Sequence, residues 1–375
     1  MRVTPAKIYF PEKDVEEILV KIKESLLTGQ LTLGKHGKEL EEKFASYTGT
    51  KYGVVVNSGT SSIEIPLRIL GVTGKEVIVP TNTFFATPAA VLHAGGIVKF
   101  VDTDPETFSI DVNSLKKSIT KNTAGVIIVH IAGVITPRIK EIQDICKQNN
   151  LFLFEDAAHA HGSTLDGKKA GTFGVAAAFS FYPTKVITSA EGGIIVTDSQ
   201  KIRDEAMMYR DQGKAGFTMN IHDKLGYNWR MSELHAAVGL SQFNRLEEFI
   251  EKRNRLSRIY DEELKSAKGV KTIPVPKGVR SNYYKYLAIL DKGIDRAGLK
   301  KIMREELEVG LSGEVYELPC HLQPIFKKGY KEGDFPVAED ICRRHICLPL
   351  YFQMTDDDAK FVVTQLKKAL SILGH

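Results

Sequence analysis

Between residues 50 and 200, short apolar runs alternate with segments of helical periodicity. Apolar runs of this length that lack a polar alternation are typical of strands buried on both faces of a sheet. The runs are GVVV at 53–56, EVIV at 76–79, IVKFV at 97–101, GVIIVHI at 125–131, LFLFE at 151–155, AAAFSF at 176–181 and GIIVT at 193–197. The pattern predicts an α/β fold with a seven-stranded, mostly parallel sheet between helices.

The connections between the runs refine this prediction. Ile139, Ile142 and Ile145/Cys146 recur every three to four residues, which indicates one apolar helix face before the fifth strand. Only residues 182–192 separate the sixth run from the seventh. Because a parallel crossover needs a longer connection, we expect the seventh strand to be antiparallel.

The remainder of the chain has a different pattern. Residues 232–267 lack proline, and apolar residues within them recur every three positions, as on one face of a helix. This pattern predicts one long helix leaving the sheet. Beyond residue 270 a shorter alternation of strand-like and helical pieces predicts a small α+β domain. We therefore expect a large domain at 1–235, and a connecting helix with a small C-terminal domain at 236–375. Residues 211–225 and 271–282 are the main linker candidates.

Composition narrows the functional class. The 375 residues are 43% apolar and 26% charged, which is typical of a globular protein. The net charge of +5 is spread without a block of like charges, so nucleic-acid binding is not expected. Neither a signal peptide nor a membrane span is recognisable, and we expect a cytoplasmic location. The four cysteines form no CxxC pair and are interpreted as reduced thiols.

Candidate chemistry lies where strands end, because ligands of such sheets collect at the carboxyl ends of the strands. After the first run comes NSGTSS, where Gly59, Thr60 and Ser61 offer a tight turn and donors for an anion at a helix start. The same residues are also typical of a simple turn with a helix cap.

Asp156 follows the very apolar fifth run, so its carboxylate needs a partner there. A protonated ring nitrogen of a cofactor is one such partner, and a helix cap is the alternative. His159 and His161 follow closely, but two histidines without a third ligand do not predict a metal site.

Lys185 follows the sixth run in SFYPTKVITSAEGG, just after Pro183. An isolated lysine is usually a solvated surface charge. Here its strand neighbours end in Asp156 and in the NSGTSS turn, so one cofactor could contact all three. Gly192 and Gly193 allow the returning strand to pass close by.

These segments resemble the DegT/DnrJ/EryC1/StrS family of sugar aminotransferases, enzymes of pyridoxal-phosphate (PLP) fold type I. The likeness extends in order from GQLTLGKHGKELEEKFA through NSGTSS, EDAAHAHG, SFYPTKVITSAEGG and LGYNWRMSELHAAVGLSQ to LPCHLQPIF. Each piece is moderately specific, whereas the ordered set is strongly so.

The resemblance implies a role for each candidate residue. Lys185 would form the Schiff base with PLP and carry protons, and pyridoxamine phosphate would be an intermediate. Asp156 would pair with the pyridine nitrogen, His159 would bond the ring oxygen and Phe84 would stack on the ring. The remaining implied contacts are to phosphate from Gly59, Thr60, Ser61 and Ser180, to a partner subunit's phosphate from Asn228, and to substrate from His321.

The implied activity is transfer of an amino group from glutamate or glutamine to a keto-sugar. The resemblance also implies a homodimer whose two subunits share their active sites. The substrate would be nucleotide-linked, in amino-sugar biosynthesis for a surface polysaccharide or a secondary metabolite. A PLP-dependent sugar dehydratase is an alternative, but those relatives carry histidine where this chain has Lys185. A cyclitol or aminodehydroshikimate-type enzyme and a non-catalytic regulatory protein are further alternatives. Pro66 departs from the family pattern and predicts a kink or a later helix start.

Overall fold

The computed structural model of the chain describes residues 1–216 and 219–375. The strands are β1 Tyr52–Val56, β2 Glu76–Pro80, β3 Ile97–Val101, β4 Thr123–Val129, β5 Phe152–Asp156, β6 Thr164–Leu165, β7 Lys168–Lys169, β8 Ala176–Ser180, β9 Gly193–Thr197, β10 Val270–Thr272, β11 Val279–Arg280, β12 Tyr286–Leu290 and β13 His345–Leu348. The α-helices are α1 Glu12–Thr28, α2 Lys35–Thr48, α3 Gly59–Ile69, α4 Ala86–His93, α5 Val112–Ser118, α6 Ile139–Gln148, α7 Gln200–Arg210, α8 Glu233–Asn244, α9 Leu246–Leu264, α10 Arg296–Glu305, α11 Pro336–Arg344 and α12 Asp356–Ile372.

Seven strands form the large sheet in the spatial order β1-β9-β8-β5-β4-β2-β3. Strand β9 runs antiparallel to both of its neighbours, β1 and β8, and the other neighbouring pairs are parallel. The predicted α/β fold, the seven strands and the antiparallel seventh strand are confirmed. Because β1, β5 and β8 point the same way, the residues that follow them meet at one edge of the sheet.

The sheet is covered on both faces, which explains its continuous apolar strands. Val54 and Val56 of β1 pack into one apolar core, and Val55 between them packs into the core on the opposite face. Strands β8 and β9 are buried along their whole length. On helix α6 the apolar stripe predicted from the sequence is buried against one of these cores.

Two helix predictions are wrong in detail. The predicted long helix is two helices, α8 and α9, which are separated at Arg245, where the backbone has φ −103° and ψ 1°. No glycine or proline marks this break. Helix α3 starts at Gly59 and runs through Pro66, so the later start is also wrong. The side chain of Ser58 accepts a hydrogen bond from the Ser61 N–H and thereby fixes the start of the helix.

The C-terminal third builds a separate apolar core around the three-stranded sheet β10-β12-β13. Helices α10 and α12 pack together there, and Val3 from the start of the chain joins this core through a bridge to Val309. The predicted division at 235/236 stays a prediction. Residues 217–218 of the loop predicted at 211–225 lie outside the described residues. Within the described part of the chain, no helix has the length and apolar character needed to cross a membrane.

Candidate active site

A cavity of about 600 Å³ opens where β1, β5 and β8 end. Seven of the ten residues predicted for the site line it, namely Gly59, Thr60, Phe84, Asp156, His159, Ser180 and Lys185. The opposite wall comes from residues 284–285 and 312–316 of the C-terminal part. Three strand ends therefore bring an amine, a carboxylate and a cluster of small polar residues to one cavity.

Lys185 lies in the turn that follows β8, where its N–H donates to the carbonyl of Tyr182. Its side chain is partly buried, and its Nζ lies 4.8 Å from the centroid of the Tyr284 ring. Burial lowers the pKa of Lys185 from 10.5 to about 8, while Asp156 raises this pKa and Lys285 lowers it further. A larger fraction of this amine is neutral near neutral pH than for an ordinary lysine.

Asp156 is a buried carboxylate with a short chain of hydrogen bonds. Its Oδ2 accepts from Thr87 Oγ1 at 2.6 Å and its Oδ1 accepts from the Ala158 N–H at 3.2 Å. Because the one hydroxyl hydrogen of Thr87 points to Asp156, the Thr83 hydroxyl donates to Thr87 at 2.7 Å. Burial raises the pKa of Asp156 despite these bonds. A positive group beside it would stabilise the ionised form.

His159 stacks on the ring of Tyr284, with centroids 4.2 Å apart and planes at 26°. Burial lowers the pKa of His159 well below its usual value, with smaller contributions from Lys185 and Lys285. Its Nδ1 is buried and has no hydrogen-bond partner among the described residues. The imidazole is therefore neutral and keeps one polar atom available for a bound molecule.

The turn after β1 fits tightly against the end of β8. A Cβ atom added at Gly59 would come 2.7 Å from Cβ of Ser180, and one added at Gly193 would come 2.4 Å from the carbonyl oxygen of Ser58. Glycine at 59 therefore lets the start of α3 approach Ser180. Gly59 and Thr60 at the start of this helix line the cavity together with Ser180, as an anion site requires.

Three predicted residues lie outside the cavity. The Ser61 hydroxyl donates to Asn57 Oδ1 at 2.9 Å, below the helix start. Asn228 is exposed. His321 is fully buried and its ring contacts Thr81 at 2.7 Å and Glu339 at 3.2 Å. The geometry of His321 is that of a satisfied loop histidine, so it does not support the predicted substrate contact.

No sequence motif predicts the opposite wall of the cavity. Tyr284 and Lys285 line it, although no motif surrounds them. Asn282, which is fully buried, explains their position: its amide donates to the carbonyls of His159 at 2.9 Å and His161 at 3.0 Å. Its own side-chain oxygen accepts from the Tyr284 N–H at 2.9 Å. One amide thus joins the loop after β5 to the C-terminal part of the chain.

A second buried carboxylate supports β5 beside Asp156. Glu155 is fully buried and accepts hydrogen bonds from the N–H groups of Gly171, Phe173 and Gly174 at 2.6–2.8 Å. His130 Nε2 donates to the same carboxylate at 2.9 Å. Glu155 therefore fixes the loop before β8 to β5. In the sequence Glu155 is the first of two adjacent acids at the end of an apolar strand.

Comparison with known proteins confirms the family resemblance of the sequence. Residues 12–367 match the sequence model of the DegT/DnrJ/EryC1/StrS aminotransferase family. The GDP-perosamine synthase of Escherichia coli O157:H7 is 32% identical, over 90% of this chain and 91% of its own. A pleiotropic regulatory protein of Geobacillus stearothermophilus is 33% identical over 93% of both chains. The structure of NtdA from Bacillus subtilis with bound pyridoxamine phosphate is 27% identical with a TM-score of 0.89, and the match covers 96% of this chain and 83% of that one.

Proposed function

The chain belongs to the DegT/DnrJ/EryC1/StrS family of PLP-dependent sugar aminotransferases, and we propose that it moves an amino group from glutamate or glutamine to a nucleotide-linked keto-sugar. Its fold is that of PLP fold type I. The observation that carries the proposal is the meeting of Lys185, Asp156 and the Gly59 turn at one cavity. The name of the E. coli relative supports a nucleotide-linked sugar as the acceptor class.

The residues of the cavity fit PLP. Burial raises the pKa of the Asp156 carboxyl, and a protonated pyridine nitrogen beside it would stabilise the ionised carboxylate. The Nδ1 of His159, which has no partner in the part of the chain that the structure describes, suits the ring oxygen. Gly59, Thr60 and Ser180 suit the phosphate, and the exposed ring of Phe84 at the cavity wall suits one face of the pyridine.

When bound, PLP supplies an electron sink for the carbon that loses its proton during amino transfer. Lys185 would hold the cofactor, and its Nζ would carry a proton from the amino carbon of the donor to the cofactor in the first half-reaction and from the cofactor to the acceptor carbon in the second. A pKa lowered to about 8 favours this, because the neutral amine is the base. Asp156 would hold the positive charge of the ring, and the hydroxyl of Thr87 would orient that carboxylate.

We also propose that two copies of the chain share their active sites. Asn228 is exposed and lies outside the cavity of its own chain, so its predicted phosphate contact requires a second copy. The apolar side chains of Leu19, Val20, Leu26 and Leu27 on α1 are 58–77% exposed, which supports burial by association. Mixing Lys185→Ala with Asn228→Ala chains tests this, because each mixed dimer would contain one complete site. Recovery of activity is expected, and its absence would contradict shared sites.

The biological setting follows from the same chemistry. We propose a cytoplasmic role in making amino sugars for a surface polysaccharide or secondary metabolite. A cyclitol or aminodehydroshikimate-type acceptor is the alternative within the fold. A purely regulatory role matches the name of the Geobacillus relative, but retention of both Lys185 and Asp156 favours catalysis.

A panel of keto-sugars and cyclitol ketones tests the proposal. The wild-type protein is loaded with pyridoxamine phosphate and mixed with each ketone, and loss of the pyridoxamine absorbance is followed in a single turnover. A nucleotide-linked keto-sugar should react fastest, whereas Lys185→Ala should be inactive and remain folded. Equal turnover by Lys185→Ala, or reaction with none of the ketones, would contradict the proposed function.

A further inference from the structure

Two lysines face the cavity, and one of them has no assigned role. Among the described residues that line the cavity, only Lys185 and Lys285 carry a cationic side chain. The Nζ atoms of both lie near the ring of Tyr284, at 4.8 Å and 5.5 Å from its centroid. Both ammonium groups therefore lie close to the same aromatic ring.

Among the residues that the structure describes, none pairs with the ammonium of Lys285. Within the described part of the chain it makes no side-chain hydrogen bond and no ion pair, although its side chain is partly buried. Burial lowers the pKa of Lys285, and Arg253 and Lys300 lower it further, while Cys347 and Glu314 raise it. A cation held at such a wall without a partner leaves a charge that a bound anion would stabilise.

Glu314 lines the same wall of the cavity and raises the pKa of Lys285, but other cations already hold its carboxylate. Lys300 Nζ donates to both of its carboxylate oxygens, at 2.7 Å and 2.8 Å. Arg296 Nε lies 3.7 Å from the same carboxylate. Two cations thus neutralise this one acid, and the local charge on the wall remains positive.

We infer that Lys285 binds an anionic oxygen of the substrate inside the cavity and is a specificity-determining residue. The inference rests on the proposed function in taking the anion to be part of a substrate. Two substrate groups have this chemistry: the carboxylate of the amino donor and the diphosphate of a nucleotide-linked sugar. An ammonium hydrogen-bonds either group as a compact point charge.

Calorimetric titration of the cofactor-loaded protein tests the inference without any amino transfer. The two probes are glutarate, which carries carboxylates but no amine, and inorganic pyrophosphate. Lys285→Met should lower the affinity for at least one probe by about tenfold or more, as expected when a charge-assisted hydrogen bond is lost. A loss confined to glutarate identifies the donor carboxylate, and a loss confined to pyrophosphate identifies the diphosphate.

Two variants serve as controls. Lys285→Arg keeps the charge and should restore most of the affinity, and Lys292→Met removes an exposed lysine of the same region and should match the wild type. Unchanged binding of both probes to Lys285→Met, or no binding of either probe to the wild type, would overturn the inference. Probe binding through Lys285 in a protein that transfers no amino group would instead overturn only the proposed function.

Discussion

The Nζ of Lys185 lies 4.8 Å from the centroid of the Tyr284 ring, and His159 stacks on that same ring at 4.2 Å. A tyrosine from the C-terminal part of the chain therefore lies next to two residues that follow different strands of the large sheet. The Asn282 amide holds this arrangement through three hydrogen bonds. The reactive amine thus depends on both parts of the chain for its surroundings.

Asp156→Asn removes the charge that is proposed to pair with the cofactor ring while keeping the shape of the side chain. Loss of a charge-assisted hydrogen bond costs about 1.5–3 kcal/mol, so cofactor affinity should fall by about tenfold or more. Both half-reactions should also slow. Cofactor titration and single-turnover absorbance measure the two effects. Single-turnover rates equal to wild type would contradict the role of Asp156.

Gly59→Ala should weaken the site for the phosphate. The new Cβ would come 2.7 Å from Cβ of Ser180, so the helix start or the serine must move. We expect weaker binding of PLP but little change for pyridoxal, which has no phosphate. Paired titrations with the two aldehydes make the comparison. Equal losses for both would show that the substitution acts elsewhere than at the phosphate.

Reattachment of PLP to the cofactor-free protein should depend on pH. Only the neutral amine of Lys185 attacks the aldehyde, and the neutral fraction rises as the pH increases through the pKa of about 8. The rate constant should therefore rise up to about that pH and then level off. Stopped-flow absorbance provides the profile. A rate that continues to rise towards the ordinary lysine pKa of 10.5 would contradict the shift.

Glu155→Ala should destabilise the fold rather than alter the chemistry directly. The substitution leaves three backbone N–H groups without this acceptor, two of them buried and one partly buried, at a cost of about 3 kcal/mol or more. The urea midpoint of unfolding should fall accordingly. Glu141→Ala is the matched control, because Glu141 pairs with Lys116 and Arg138 at the surface. Equal midpoints for the two variants would refute the structural role of Glu155.

The sequence was sufficient for one side of the cavity. Apolar runs end at Asp156 and just before Lys185, and the rule that parallel strands share a ligand-binding edge brings these residues together. The antiparallel β9 followed from the short connection of residues 182–192. These predictions succeed because they depend on period, length and strand direction, which are local properties of the chain.

The other side could not be predicted from local pattern. Tyr284 and Lys285 precede β12 and reach the cavity through hydrogen bonds of Asn282 to a loop more than 100 residues earlier. The break at Arg245 has a similar origin. Its guanidinium contacts Asp14 at 3.5 Å and lies over the rings of Tyr9 and Phe249, so tertiary contacts accompany a break that composition does not mark.

Identification of the lysine that holds the cofactor tests the proposed function more directly than any other experiment. The protein loaded with PLP is reduced with borohydride, digested and examined by mass spectrometry, which locates the modified residue. We predict modification of Lys185 alone, although Lys285 lines the same cavity. Modification at Lys285, or a protein that binds PLP without any reducible bond to Lys185, would contradict the account.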